Sequence, residues 1–426
     1  MEQQMPLNTR IRLSAMMFLQ YMYFAVFWVP LSAYLKEAQA TDTQTWLILS
    51  TMAFGCLVSP LVCMIADRHF ASNKVLIGLN LACAVLLFLA ARQENLTMLF
   101  VFLLIAMFCY MPTWSITNAI AMANCPAEKF PQIRSLGSIG WVASLVFSLV
   151  ALKMFDTKID NTAIPLMCGA ATALVAALVN LTLPNTPPPA KGRKASVVDA
   201  LGLRALTLIK DANFALFILL SMLVMIPFTL YFSLGSQFFD SQGFTLVTAT
   251  MNLGQLVEMG LMLLVPISLA KFGIKKTMLI GLIALVVRYA VLWGGFAHGP
   301  LMFYYIAILI HGVIFGFFFV GGQVYVDKKA PPEIRAQAQG LIVLICFGAG
   351  MLVGNFVNVK LIRRYTADDV CNWSPVFIIT AIVSVVLLVV MALFFRDDIK
   401  EVAAAAEPPA PEAAAAPSEF DESTEA

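Results

Sequence analysis

The sequence predicts an all-α membrane protein in which twelve transmembrane helices form two pseudo-symmetric bundles of six. Three observations lead to this fold class: the composition, a series of long neutral apolar runs, and short sequence matches between the two halves. Of the 426 residues, 60% are hydrophobic and only 12% are charged, whereas soluble proteins carry about 25% charged residues. The mean hydropathy is +0.85. This composition excludes disordered, collagenous and disulfide-stapled proteins and indicates a lipid bilayer as the main partner.

The charge balance and the cysteines exclude further classes. The 27 basic and 25 acidic residues give a net charge of +2, which is too balanced to indicate a nucleic-acid partner. The 8 cysteines are scattered, without the spacing of a metal site. We therefore expect them to be small packing residues, and we expect neither a metal nor a cofactor.

Charged residues divide the chain into neutral runs long enough to cross a hydrocarbon core, which needs about 20 apolar residues. The predicted spans occupy 13–35, 43–66, 75–91, 95–127, 135–152, 161–190, 212–239, 241–270, 277–326, 336–359 and 370–395. The run 277–326 is too long for one helix. Gly294-Gly295 and Gly299-Pro300 predict a turn in its middle, which brings the total to twelve spans.

The distribution of Lys and Arg predicts the orientation. Most of them lie at the two ends of the chain and in the even-numbered connections between spans. Because positive residues are retained on the cytoplasmic side, we expect both termini in the cytoplasm and the protein in the inner membrane. The first span follows Arg10 and Arg12 but is too long for a secretory signal peptide, so we expect it to be retained.

The longest connection, 185–211, is rich in proline and basic residues and divides the chain into a bundle over 1–184 and a bundle over 212–396. The tail, 397–426, is rich in Ala, Pro and Glu, and we expect it to be disordered. A short repeat supports the division, because 131–134 reads Pro-Gln-Ile-Arg and 332–335 reads Pro-Glu-Ile-Arg at equivalent places. Two similar parallel halves can rock about a central site.

Glu258 is the clearest ionisable residue inside a predicted span. Thr248, Asn252, Gln255 and Glu258 recur at i, i+4, i+7 and i+10, so they form one polar stripe on a helix face. The stripe faces either a wet cavity or a partner helix to which it hydrogen-bonds. An ionisable group in hydrocarbon is costly and therefore a functional candidate. A carboxyl group that can be neutral or charged is a candidate proton carrier.

Two other spans carry candidate site residues. Arg134 begins span 5, with Ser138 and Trp141 on the same face, and either serves a site or snorkels to the membrane surface. His311 in span 10 shares a face with Phe315 and is either a second proton-handling group or a hydrogen-bonded core histidine.

The aromatic residues and amides suggest what such a site binds. Trp141, Phe232 and Phe315 could stack on a flat apolar solute, while Asn118, Gln255 and Glu258 could bind hydroxyl groups. We interpret Arg288 in span 9 as mainly structural.

Several segments together resemble the nucleoside:proton symporter family of the major facilitator superfamily. They are 66–68, 110–113 with Asn118, 130–141, 255–258, 272–275 and 334–340. The Asp67-Arg68 pair is generic to the superfamily and, with Arg335, is expected to have a gating or structural role. The pattern Phe-Pro-x-Ile-Arg-x-x-Gly, followed in span 8 by Gln-x-x-Glu, is more specific.

The resemblance implies a central site between the bundles that binds a nucleoside together with a proton. By position, Arg134, Ser138 and Trp141 would line one side, and Gln255 and Glu258 would hydrogen-bond the nucleoside from the other. The chain departs from the family pattern mildly at Ser138, which replaces a threonine, and at Trp141, which replaces a phenylalanine. Four larger departures follow: Thr229 and Phe232 replace amides, His311 replaces a tyrosine, and Gly316 replaces an aspartate. These departures leave open the exact substrate, and whether Glu258 or His311 carries the proton.

We therefore expect a secondary active transporter, a monomer that takes up nucleosides with protons by alternating access. The alternatives are a proton-coupled symporter of another small polar solute, such as a sugar or glycoside, and a multispan membrane enzyme or sensor. No P-loop of the form GxxxxGK[ST] is present, which disfavours ATP-driven transport. The 3 histidines are scattered rather than clustered, so we do not expect an enzyme.

Overall fold

The computed structural model is almost entirely helical and describes residues 5–126, 129–188, 198 and 203–399. The N-terminal part, 5–188, contains α1 (Leu7–Trp28), α2 (Leu31–Glu37), α3 (Asp42–Leu49), α4 (Thr51–His69), α5 (Ser72–Ala91), α6 (Leu96–Asn124), α7 (Phe130–Ala143), α8 (Leu145–Phe155) and α9 (Ile164–Asn180). About half of the predicted linker, 189–197 and 199–202, and nearly all of the predicted tail, 400–426, lie outside the described residues.

The C-terminal part, 203–399, begins with a 3₁₀ segment, Leu203–Lys210. It continues with α10 (Ala212–Phe232), α11 (Gly235–Ser241), α12 (Val247–Leu261), a 3₁₀ turn (Met262–Leu264), α13 (Val265–His298), α14 (Leu301–Leu309), α15 (His311–Val313), a π-helical segment (Ile314–Val320), α16 (Gly321–Lys329), α17 (Arg335–Val343), a second π-helical segment (Leu344–Gly350), α18 (Met351–Arg364) and α19 (Trp373–Phe394). A small antiparallel hairpin pairs β1 (Thr366–Ala367) with β2 (Val370–Cys371).

Within the described residues, ten helical stretches are long and apolar enough to cross a membrane. They are Leu7–Glu37, Asp42–Ala66, Ser72–Ala91, Leu96–Asn124, Phe130–Phe155, Ala212–Ser241, Val247–His298, Leu301–Lys329, Arg335–Arg364 and Trp373–Phe394. Ile164–Asn180 is apolar but shorter. The prediction of a largely α-helical membrane protein is confirmed.

The 52-residue stretch Val247–His298 contains two of the predicted spans. Gly273 interrupts it with φ of 78° and ψ of 175°, a backbone conformation that favours glycine. Gly299, with φ of 85°, ends α13 just before Pro300, as the predicted turn requires. The expectation that this turn includes Gly294 and Gly295 is wrong, because both remain helical and buried. A side chain at Gly295 would come within 2.6 Å of the Tyr304 ring, so close packing explains that glycine.

Glycines also allow the closest helix contacts of α12, which carries the polar stripe, and of α7, which carries Arg134. A Cβ atom at Gly140 would lie 2.0 Å from the carbonyl oxygen of Phe18, so α7 packs directly on the backbone of α1. A Cβ atom at Gly312 would lie 2.4 Å from the Cα atom of Glu258, so α15 meets α12 just as closely. Small residues allow such approaches between membrane helices. The second contact places His311 beside Glu258.

Hydrogen bonds and ion pairs connect the N-terminal and C-terminal parts near the end of the molecule where α1 terminates. Ser32 Oγ lies 2.7 Å from Ser236 Oγ, and Asn355 donates to the carbonyl oxygen of Leu49 over 2.8 Å. Lys158 forms an ion pair with Asp240 at 2.5 Å. We call this end of the molecule the tied end.

Candidate functional site

The polar stripe on α12 serves two different environments. Near the tied end, the Thr248 hydroxyl donates to Asp160 over 2.9 Å, and the Asn252 amide donates to Ser144 over 3.1 Å. Further along the helix, Gln255 lines a cavity, and Glu258 is buried next to His311. Asn252 lines the same cavity while it hydrogen-bonds Ser144, so the stripe both contacts a partner helix and faces a cavity.

The cavity lies between the N-terminal and C-terminal parts of the chain. Five helices contribute its walls, which are formed by Trp28, Val29, Trp141, Tyr231, Phe232, Met251, Asn252, Gln255 and His311. The rings of Trp141 and Phe232 face each other at 6.4 Å between centroids and 33° between planes. The volume is about 30 Å³, whereas small-molecule pockets measure roughly 300–1,000 Å³. The cavity in this structure is therefore too small to hold a nucleoside.

Glu258, His311 and Arg288 form a buried polar row beside the cavity. The Nε2 atom of His311 lies 3.7 Å from Oε2 of Glu258. On the other side of the ring, Arg288 Nη2 lies 3.0 Å from His311 Nδ1. Arg288 is 0% exposed, which is rare for an arginine. The interpretation of Arg288 as mainly structural gave no reason to expect it beside His311. The sequence did offer one sign that Arg288 belongs to a functional site, because Arg288 is an ionisable residue inside a predicted span.

Arg134 also faces this row. Its guanidinium carbon lies 4.5 Å above the ring of Tyr21, and Arg134 and Arg288 are the cations near the carboxylate of Glu258. Ser138 is one turn away on α7 and is partly exposed. Arg134 is half-buried against the ring of Tyr21, and its role as a site cation stays a prediction.

The remaining predicted substrate residues lie in three different places. Thr229 is fully buried and accepts a hydrogen bond from Asn358 of α18 over 3.0 Å, so it points away from the cavity. Asn118 does not line the cavity, and its buried Oδ1 atom has no hydrogen-bond partner among the described residues. The ring of Phe315 lies 6.4 Å from that of His311. The structure thus groups Phe315 with His311 and separates Thr229 from them.

Gly316, where the resembled family has an aspartate, has apolar surroundings. A Cβ atom built there would lie 3.1 Å from Val265 and 3.7 Å from the sulfur of Met262. A carboxylate in this place would have no polar group among those neighbours.

The predicted gating residues lie on the side of the molecule opposite the tied end. Arg68 donates to the carbonyl oxygen of Met64 over 2.9 Å, and the side chain of Asp67 lies outside the described part of the chain. Arg335 Nε is 3.8 Å from Asp327 Oδ1, with both side chains about half exposed. Exposed ion pairs of this kind contribute little to stability.

A buried network in the N-terminal part was not anticipated from the sequence. The amide of Gln20 donates to the hydroxyl of Tyr23 over 2.9 Å and also to Thr113. Asn80 donates to Gln20 over 3.0 Å and accepts from Tyr23 over 3.1 Å. The polar residues Gln20 and Asn80 inside apolar runs were the available signal. The network joins α1, α5 and α6.

Asp160 was also missed. It lies in the connection between α8 and α9, is only 1% exposed, and accepts hydrogen bonds from Ser148 and from the backbone and hydroxyl of Thr248. Carboxylates in connections usually remain in water, so its position in the sequence gave no signal.

Apolar helices that surround a cavity with polar groups drawn from several of them are the arrangement of a membrane transport protein. Residues 7–400 match the family described as nucleoside H+ symporter. The chain is 34% identical over 397 residues to YegT of Escherichia coli (strain K12), an alignment that covers 89% of this chain and 92% of YegT.

The chain is also similar to the nucleoside permease NupG of Escherichia coli (strain K12), at 29% identity over 405 residues, covering 89% of this chain and 94% of NupG. The crystal structure of NupG superposes with a TM-score of 0.82 at 27% identity, covering 92% of this chain and 100% of that one. The chain therefore belongs to the nucleoside H+ symporter family of the major facilitator superfamily, and the predicted resemblance is confirmed.

Proposed function

We propose that the protein takes up nucleosides together with protons by alternating access. The family and the named function of NupG support the substrate class. The observation that carries the proposal is the carboxylate of Glu258, which is buried beside the cavity with an Oε2 atom that has no hydrogen-bond partner in the described part of the chain. A buried acceptor left without a partner is costly unless a ligand or a proton occupies it during function.

The cavity walls fit the two halves of a nucleoside. The flat faces of Trp141 and Phe232 can stack on the base. Gln255 and Glu258 can hydrogen-bond the sugar or the base, and Arg134 with Ser138, which lie on α7 outside these walls, could reach the solute once the cavity opens. The walls must separate before a nucleoside can enter a space of about 30 Å³.

The position of the hydrogen bonds between the N-terminal and C-terminal parts supports alternating access. They concentrate at the tied end, where Ser32, Asp160 and Asn355 each form contacts across the boundary. We infer that this end is closed here and faces away from the cytoplasm. Opening it requires these bonds to break, while the opposite end closes.

We further propose the complete membrane topology. Ile164–Asn180 would be the sixth span, and the break at Gly273 would divide Val247–His298 into the eighth and ninth. Twelve spans would then form bundles over 1–184 and 212–396, joined by 185–211 and followed by the tail 397–426. Both termini would be cytoplasmic and the protein a monomer in the inner membrane.

Purified protein in lipid vesicles tests the function. With an imposed proton gradient, we expect vesicles to accumulate labelled uridine or adenosine, and a protonophore to abolish the accumulation. Labelled hexoses and glycosides should not accumulate. Hexose uptake that no nucleoside inhibits would contradict the proposal.

A tryptophan pair tests the stacking role. Trp141→Ala removes a ring from the cavity wall, so we expect nucleoside affinity to fall at least about fivefold, since an aromatic stack contributes about 1 kcal/mol beyond area burial. Trp293→Ala is the matched control, because Trp293 lines a groove of apolar residues on α13 and α19. Equal affinities for the two variants would exclude Trp141 from the site.

A further inference from the structure

The neighbours of Arg288 are unusual for a buried cation. Its Nε atom donates to the carbonyl oxygen of Ala307 over 3.1 Å, and its guanidinium carbon lies 4.1 Å above the ring of Tyr231. The third neighbour is His311, at 3.0 Å. None of these three groups carries a negative charge, although a buried cation is costly unless it is paired with an anion.

The contact between Arg288 and His311 fixes the proton on the imidazole. A guanidinium only donates hydrogen bonds. The Nδ1 atom of His311 must therefore accept, which leaves the proton of the neutral ring on Nε2. A doubly protonated ring would direct its Nδ1–H at a guanidinium N–H and add a second positive charge next to the first.

The remaining N–H lies on the side of Glu258. The Nε2 atom is 3.7 Å from Oε2 of Glu258, which is an ion-pair distance but longer than a hydrogen bond. That oxygen has no hydrogen-bond partner among the described residues. A movement of less than about 1 Å would complete an N–H···O bond of ordinary length. The charged groups that face the carboxylate are Arg288 of α13 and Arg134 of α7.

We propose that Arg288 is a positioning residue for proton coupling. Arg288 holds His311 in the Nε2–H tautomer. The buried charge of Arg288 then pairs with the carboxylate of Glu258 through this neutral ring. Glu258 is then the group that binds and releases the transported proton, while His311 keeps its single proton throughout the cycle. This inference rests on the proposed proton-coupled uptake, and it selects between the two candidate proton carriers.

A pair of glutamine substitutions separates the roles. In His311→Gln, the amide oxygen can accept from Arg288 and the amide N–H can donate to Glu258, but the side chain does not titrate. We expect His311→Gln to retain proton-driven accumulation within about fivefold of the unmodified protein, a loss of roughly 1 kcal/mol in coupling. Arg288→Gln should lower accumulation at least about tenfold while nucleoside counterflow, which needs no gradient, continues.

The result that overturns the inference is the reverse pattern, with accumulation lost in His311→Gln and retained in Arg288→Gln. Arg288→Lys controls for misfolding, because it keeps the charge but loses the forked geometry. Its accumulation should fall between those of the unmodified protein and Arg288→Gln. If the unmodified protein accumulates no nucleoside, the proposed function itself fails, which is a different outcome.

Nitrogen-15 NMR of histidine-labelled protein tests the tautomer without measuring transport. The chain has 3 histidines, so the signals lost in His311→Gln identify His311. At pH 7.5 we expect Nε2 to be protonated and Nδ1 unprotonated in the unmodified protein, and both tautomers to be populated in Arg288→Gln. Protonation at Nδ1 in the unmodified protein, or one unchanged tautomer in Arg288→Gln, would contradict the inference.

Discussion

Asp160 offers a direct test of how the tied end stays closed. Its carboxylate accepts hydrogen bonds from the backbone N–H and the hydroxyl of Thr248, both at 2.9 Å, and from Ser148 at 2.5 Å. Thr248 lies in the first turn of α12, in the C-terminal part, where a carboxylate also meets the positive end of the helix dipole. Ser148 lies in the N-terminal part with Asp160, so its bond remains whether the end is open or closed.

The perturbation is Asp160→Asn, which keeps the shape but removes the charge and places an NH₂ group where an acceptor was needed. A hydrogen bond to a charged group contributes about 1.5–3 kcal/mol. Two such bonds cross to Thr248, so weakening them should cost the closed state about 3 kcal/mol. At about 1.4 kcal/mol per factor of ten, the equilibrium shifts roughly a hundredfold toward the open state.

Distances between spin labels measure this equilibrium. Cysteines substituted for the exposed residues Lys153 and Asp368, in a background without the 8 native cysteines, place one label on each part near the tied end. We expect pulsed electron resonance to show a larger long-distance population in Asp160→Asn than in the parent. Ser148→Ala is the matched control and should leave the distribution unchanged. An unchanged distribution in Asp160→Asn, or an equal shift in Ser148→Ala, would refute the reasoning.

Two further predictions concern stability in detergent. Asp211 caps α10 by accepting from the backbone of that helix, so Asp211→Ala should destabilise the protein by about 1 kcal/mol, measured as a lower melting temperature. The hydrogen bond from Lys329 lowers the pKa of Asp211. The stabilisation by Asp211 is therefore present at neutral pH and is lost as pH falls through that lowered pKa. An equal loss of melting temperature in Asp211→Ala at neutral and at acidic pH would contradict this. Gly312→Ala should destabilise by about 1–3 kcal/mol, because the new Cβ atom meets the Glu258 backbone, while Gly340→Ala, with nothing within 4 Å, should not. Equal melting temperatures for the two alanine variants would show that the helices adjust freely.

The sequence was sufficient for the features that depend on local pattern. Neutral runs between charges located the membrane helices, because a bilayer core admits few charged side chains. The spacing of the stripe on α12 was enough to place Gln255 and Glu258 on one face. The same reasoning separated the predicted spans 241–270 and 277–326, and the structure breaks the helix between them at Gly273, which has a positive φ.

Features that depend on how helices meet could not be predicted. The pattern of α10 does not reveal that Thr229 packs against Asn358, because helical periodicity gives the faces of a helix and not the neighbour of each face. The contact of Arg288 with His311 depends on the closeness of α13 to α15. The burial of Asp160 depends on the first turn of α12, which is far away in the sequence.

The central claim is that the carboxyl group of Glu258 binds the transported proton beside the cavity, and Glu258→Gln tests it most directly. The amide preserves the size and most hydrogen bonds of the side chain but cannot exchange a proton near neutral pH. In vesicles, we predict that Glu258→Gln exchanges nucleoside across the membrane at no less than about a tenth of the unmodified rate, yet never raises the internal concentration above the external one when a proton gradient is imposed. Accumulation equal to that of the unmodified protein would contradict the account.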